Sequence, residues 1–146
     1  LSDLSDPSDP SDPSDLAANA RLTLNPPAAE TAIDAAECAA TIPFPPEYRA
    51  LLRLTNGLYS DGCLVFYAAE DLATRNQDYE VPTYLPDYLM IGDDSGGQAI
   101  LIDRSGALYE VGMGIMDADW LEPSAASLAD LLITHAGRTL SEREDD

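Results

Sequence analysis

The chain has 146 residues, 45% hydrophobic and 23% charged, and its 27 acidic residues against seven basic ones and one His give a formal net charge of −20. That size and composition suit a single domain, which would bury roughly two-thirds of its unfolded surface. They exclude collagen, a coiled coil and a polybasic nucleic-acid binder.

Residues 1–15 repeat Ser-Asp-Leu or Ser-Asp-Pro with a period of three. Proline at every third position prevents a helix, and no apolar face forms. The segment is expected to be a disordered tail, either without function of its own or an extension upstream of the natural start. Residues 16–140 are expected to form the single ordered domain, and 141–146, with four acids and Arg143, an acidic C-terminal tail.

Within the domain, Asn25-Pro26-Pro27 is a helix-start signal, with Asn as the cap. Ala29, Ala32, Ile33 and Ala36 then share one stripe of a small-residue helix over 28–39, with Glu30, Asp34 and Glu37 off it. Pro46 opens a second helix carrying Tyr48, Leu51, Leu52 and Thr55, and Asn56-Gly57 ends it, with Gly57 as the left-handed C′ residue. Arg49 and Arg53 fall on or near its solvent side.

From Gly62 the period changes. Cys63–Tyr67 predicts a short strand, residues 68–76 one or two helical turns around Leu72, and Tyr79-Glu80-Val81 an alternating segment. Tyr88–Ile91, Gln98–Asp103 and Ala107–Val111 predict three strands joined by Gly-rich turns, an antiparallel meander. Pro123 is expected to open a last helix with Leu128, Leu131, Leu132 and His135 on one stripe, closed by Gly137. Strands in the middle with helices around them make the α+β class, an antiparallel meander sheet flanked by helices.

The acidity persists without the ends: residues 16–140 hold 18 acids and six Arg, a net of −12. Such a surface repels phosphate backbones and anionic lipid, so neither nucleic acid nor membrane is an expected partner. It favours cationic partners, meaning basic proteins or metal ions, or it serves solubility alone. No run approaches the ~20 apolar residues of a membrane span, and no signal-peptide pattern opens the chain, so the cytoplasm is the default location.

No catalytic constellation stands out. Gly92–Gly97 carries Asp93 and Asp94, but a strand follows it rather than a helix, and the chain has no Lys for a phosphate loop. It reads as a hairpin turn whose aspartates bond nearby amides, with Asp93 and Asp94 still available to a partner. His135 is the lone histidine and reads as structural. Cys38 and Cys63 have no metal-ligand spacing, Cys63 reads as a buried free thiol, and neither zinc nor another cofactor is expected. Asp117-Ala118-Asp119-Trp120 places the lone Trp among acids, either as a core plug or as a half-exposed anchor of a protein-binding hot spot. Tyr59-Ser60-Asp61 is a similar aromatic-acid segment. The candidate contact set is therefore Tyr59, Asp61, Asp93, Asp94, Asp117, Asp119 and Trp120, with no catalytic or metal residue.

The order of signals resembles the SUKH superfamily. Phe44-Pro45-Pro46-Glu47-Tyr48 with Leu51-Leu52 and Asn56-Gly57 is similar to its first signature. Tyr84-Leu85-Pro86-Asp87-Tyr88 leading to Ile91–Gln98 is similar to its second, and the helix around Leu128-Leu131-Leu132 takes the place of its Phe…Phe-Leu motif. Phe44 stands where Leu is usual, and Leu where aromatics are common. The resemblance implies an α+β domain without enzymatic activity. Bacterial members look like immunity proteins that block polymorphic toxins, many of them nucleases, and fungal relatives look like regulators of cell-wall synthesis. The expected function is an immunity-type protein that neutralises a cognate toxin domain by covering its surface. The alternatives are a regulatory adaptor for a cellular protein or, further off, a hydrolase. Oligomeric state is left open.

Overall fold

The computed structural model describes residues 22–144. The repeat tail of residues 1–15 lies outside the described residues. Among the described residues seven strands form one sheet in sequence order, every pair antiparallel. They are β1 (Leu22–Leu24), β2 (Leu58–Ser60), β3 (Val65–Phe66), β4 (Tyr88–Asp93), β5 (Gln98–Asp103), β6 (Leu108–Gly112) and β7 (Glu122–Ala125). The helices are α1 (Glu30–Ala39), α2 (Pro46–Leu54), α3 (Leu72–Asp78), α4 (Val81–Tyr84) and α5 (Leu140–Glu144). The α+β meander expected from the apolar runs is present, β3 lies within the short strand predicted over Cys63–Tyr67, and β1, β2 and β7 are three further strands.

Helices α1 and α2 form from their apolar stripes. Ile33 and Ala36 of α1 and Tyr48, Leu51 and Leu52 of α2 are buried, and Pro46 occupies the first turn of α2, where its missing N–H costs nothing. Tyr48 packs edge-on against Phe44, centroids 5.1 Å apart. The off-stripe acids of α1 have partners on α2. Arg49 bonds Asp34 at 2.8 Å and also Glu37, and Arg53 bonds Glu30 at 2.7 Å. The hydrogen bond from Arg53 holds the Glu30 carboxyl below its ordinary value.

Asn25 is not the cap of α1. Its backbone N–H donates to Thr55 Oγ1 (2.8 Å) and its side chain to the Asn56 carbonyl (3.1 Å), and α1 begins at Ala29 without a side-chain cap. The Asn56-Gly57 pair does more than end α2, whose C-cap is Thr55. Asn56 Oδ1 accepts the Ala69 N–H at 2.7 Å, tying the 3-10 turn Ala69–Asp71 to the helix end. Gly57 has φ +82°, and a Cβ there would stand 2.6 Å from the Phe66 carbonyl oxygen. Glycine is therefore required by both conformation and space.

The central strands are buried on both faces: Leu89–Gly92 of β4 and Ala99–Ile102 of β5 lie in the core. Because β3 has only two residues, the upper part of β4 would lack a partner. The buried Asn76 side chain replaces it, accepting from the Met90 N–H (2.9 Å) and donating to the Met90 carbonyl (3.0 Å). The Tyr79–Val81 alternation does not make a strand. Tyr79 caps α3, and Glu80 takes φ +56° ahead of α4.

Pro123 does not open a helix but lies in β7, the outermost strand, where a residue without an N–H is tolerated. The helical turn begins at Ser127 instead. Ser127 Oγ accepts the Asp130 N–H at 3.0 Å while Asp130 accepts the Ala126 N–H at 3.0 Å, a reciprocal cap. Leu128, Leu131 and Leu132 are buried as expected, and residues 130–134 are wound as a π-helical turn. His135 caps that turn, 3.6 Å from Asp130. Cys63 is half-buried and Cys38 exposed, not the buried thiol expected of Cys63, because the strand starts only at Val65.

Residues 141–144, expected within an acidic tail, continue α5 from Leu140, and the helix docks on the sheet. The carboxylate of the buried Glu110 in β6 accepts from Ser124 Oγ (2.8 Å) and from the Leu140 N–H (2.9 Å), and Arg143 donates to Ser124 Oγ (2.9 Å). Burial pushes the Glu110 carboxyl above its ordinary 4.5, and the bonds from Ser124 and Leu140 only partly offset it. With the folded value raised, the contribution to stability is complete below the unfolded value and is lost as pH rises through the folded one. Glu110→Gln lacks this titration. Its Tm relative to the natural protein should therefore rise from pH 4 upward and level off once Glu110 is ionised. A difference in Tm that stays constant from pH 4 to pH 8 would contradict this account.

Candidate protein-binding surface

An antiparallel sheet in sequence order sends alternate connections to the same end. The β2–β3 turn (61–64), the β4–β5 turn (94–97) and the β6–β7 connection (113–121) therefore share one end of the sheet. With strands ~4.8 Å apart, the first and third of these lie roughly 19 Å from each other. All seven sequence-predicted contact residues fall on or beside this end, in two separate groups.

The first group holds Tyr59, Asp61, Asp93 and Asp94. Tyr59 sits in β2, 49% exposed, and Asp61 is exposed just after it. Asp93 accepts from the Tyr67 hydroxyl at 2.6 Å and from the Ser95 N–H at 2.9 Å. Burial, then the Asp93 hydrogen bond, pushes the Tyr67 hydroxyl well above its ordinary value. The Arg75 guanidinium lies over the Tyr67 ring, 5.0 Å from its centroid. Ser95 Oγ reaches across to the Cys63 carbonyl (2.9 Å), joining the two turns. Asp94 is not offered to solvent. It is 4% exposed, and its Oδ1 accepts the N–H groups of Gly96 (2.8 Å) and Gln98 (2.9 Å). It builds the turn, because a carboxylate beside two inward amides satisfies both.

The second group is Asp117, Asp119 and Trp120. Asp117 Oδ1 accepts the Asp119 N–H at 2.9 Å and so starts the 3-10 turn Ala118–Trp120. Both aspartates are exposed, and Trp120 is 62% exposed, so it is not a core plug.

The sequence reading missed residues beside this second group. Tyr84 (56% exposed) and Ile115 (50%) are large apolar side chains facing solvent. They line a groove of about 540 Å³ between the Asp78–Glu80 turn with Tyr84 on one side and Met113–Asp117 on the other. The local chain explains the placement. The left-handed Glu80 and Pro82 in the first turn of α4 turn the backbone between α3 and α4, while the Met113 N–H donates to the Gly97 carbonyl (2.8 Å) and pins the loop to the β4–β5 turn. The Met113-Gly-Ile-Met116 run was the available signal, an apolar stretch in a segment with neither strand nor helix period. The groove lining carries Asp78, Glu80 and Asp117 and neither Arg nor Lys. Arg49 and Arg53 pair on the α1–α2 face and Arg104 with Asp87.

Among the described residues no three His, Cys, Asp or Glu side chains gather as a metal-binding group, and no helix is long and apolar enough to cross a membrane. The surface can present apolar rings and carboxylates to another molecule, the chemistry of recognition. A search of curated proteins finds no match to this chain. The SMI1 / KNR4 family (SUKH-1) model does match, over residues 27–134, from the proline before α1 through the π-helical turn, and the chain belongs to that family.

Proposed function

We propose that the protein is an immunity-type binding module that neutralises a cognate toxin domain by covering its surface, making and breaking no bond. Family membership fits an immunity or a regulatory role. The observation that carries the reading is the pairing of exposed Tyr84, Ile115 and Trp120 with Asp78, Glu80, Asp117 and Asp119 at one end of the sheet. Apolar centres inside a charged rim are the composition of an interface, and the net charge of −20 steers a basic partner toward it. Tyr59, Asp61 and Asp93 extend the contact set on the other side of the same end.

The test is capture of the partner from the native host, followed by assay of that partner's activity with and without an equimolar amount of the protein. Loss of the activity at one-to-one stoichiometry is expected. A captured partner that keeps full activity overturns neutralisation and moves the protein to the regulatory-adaptor class. In the same complex, Trp120→Ala should weaken binding by about 2 kcal/mol, roughly 30-fold in Kd. The association rate should fall by about tenfold or more between 0.05 M and 0.5 M salt while dissociation changes little. A salt-independent association rate would remove electrostatic steering.

A further inference from the structure

Two features of the groove between the Asp78–Tyr84 turn and the Met113–Asp117 loop bear on what it takes up. Its walls supply apolar contact from Tyr84 and Ile115, and its charged groups are all carboxylates. At about 540 Å³ it has room for one or two side chains of a partner. We propose that it receives an arginine-bearing loop of a protein partner, the guanidinium reaching Asp78, Glu80 and Asp117 and a neighbouring aliphatic side chain lying on Ile115.

The chemistry favours arginine over a compact cation. The carboxylates do not gather into a metal-binding group among the described residues, whereas a planar guanidinium spans separated oxygens and also stacks on a ring. The molecule already stacks one of its own guanidinium groups on a ring, Arg75 over Tyr67, whose hydroxyl bonds Asp93. The chain's own acidic repeat is a poor occupant, since residues 1–15 carry five Asp and no base. A second copy is disfavoured by a net charge of −20 on each chain.

The inference rests on the reading of the protein as a partner-binding module and fixes where the partner's anchor goes. It is tested on the full chain by amide NMR titration with the peptide Gly-Arg-Leu-Arg-Gly, against Gly-Arg-Gly-Arg-Gly and Gly-Glu-Leu-Glu-Gly. Saturable shifts confined to residues 78–84 and 113–120 are expected with the first. The glycine peptide should bind about threefold more weakly and the acidic one not at all. Ile115→Ala and Asp117→Asn alter exposed side chains and should each weaken the first peptide about fivefold with unchanged circular dichroism. Shifts spread evenly over the acidic surface, absence of saturable binding, or undiminished affinity in Ile115→Ala would each overturn the groove assignment. The module reading would survive such a result, because it is judged separately by inhibition of the captured partner.

Discussion

Gly92→Ala is expected to lose roughly 4 kcal/mol or more of folding stability, enough to leave a small domain largely unfolded. Gly92 lies inside β4 opposite Phe66, at the point where the β4–β5 register shifts. A Cβ there would stand 2.1 Å from the Val65 carbonyl oxygen and 2.8 Å from Phe66 Cδ1. The nearer obstacle is backbone, so relief requires β3 to move away from β4. That movement would also separate Asp93 from Tyr67, which couples this position to the binding end. Gly96→Ala is the matched control, since its nearest atom is Asp94 Oδ1 at an ordinary 3.5 Å, and a change within about 1 kcal/mol is expected there. Urea unfolding of the two variants decides the matter. If Gly92→Ala unfolds within about 1 kcal/mol of the natural protein, the close β3–β4 approach is wrong.

The second large effect is in the helical layer. Leu52 is 1% exposed on α2, and its carbonyl accepts the Ala28 N–H at 2.9 Å, so the same residue packs the core and ties down the chain before α1. Leu52→Ala removes the side chain and leaves a cavity, at a cost of about 2–5 kcal/mol. For a domain of this size that corresponds to a fall in Tm of roughly 8 °C or more. A fall of less than about 3 °C would mean that the apolar face of α2 does not point inward.

These two residues mark what sequence can and cannot disclose. Leu52 was legible because Tyr48, Leu51 and Leu52 repeat at the helical period, and a helix on a globular domain has no other use for such a stripe. Strands β4 to β6 were legible for a similar reason, as apolar runs of five or six residues separated by turn residues. Gly92 reads with the turn that follows it, because nothing local reveals that β3 crosses so near. The strands that escaped notice are short or of the wrong composition. β1 and β2 have three residues each, and β7 reads Glu-Pro-Ser-Ala. Pairing with a neighbour holds them, and a propensity argument has no access to that neighbour.

The binding end divides in the same way. Trp120 and its aspartates were found by composition, but whether the ring lay inside or outside depended on the tertiary structure. Asp93 and Asp94 read alike in the sequence, as turn acids open to a partner, while the fold uses the Asp94 carboxylate to close the turn. The groove joins residues 78–84 to 113–117, segments about 30 residues apart in the chain that meet only once the sheet is complete. Glu110 gave no sign at all. An acid in a strand normally faces water, and this one is enclosed by Ser124 of β7 and by the docking of α5.

The succession of strands in chain order also bears on how the protein acquires its structure. Each strand lies beside the one synthesised just before it, so hairpins can be added one after another without waiting for a remote segment. The loops to be closed are short except where α1 and α2 intervene before β2 and where α3 and α4 intervene before β4. Low sequence separation keeps the entropic barrier small and favours rapid acquisition of the native state. Under the immunity reading, speed of maturation is useful in its own right, since a protective protein must be competent by the time its target is made.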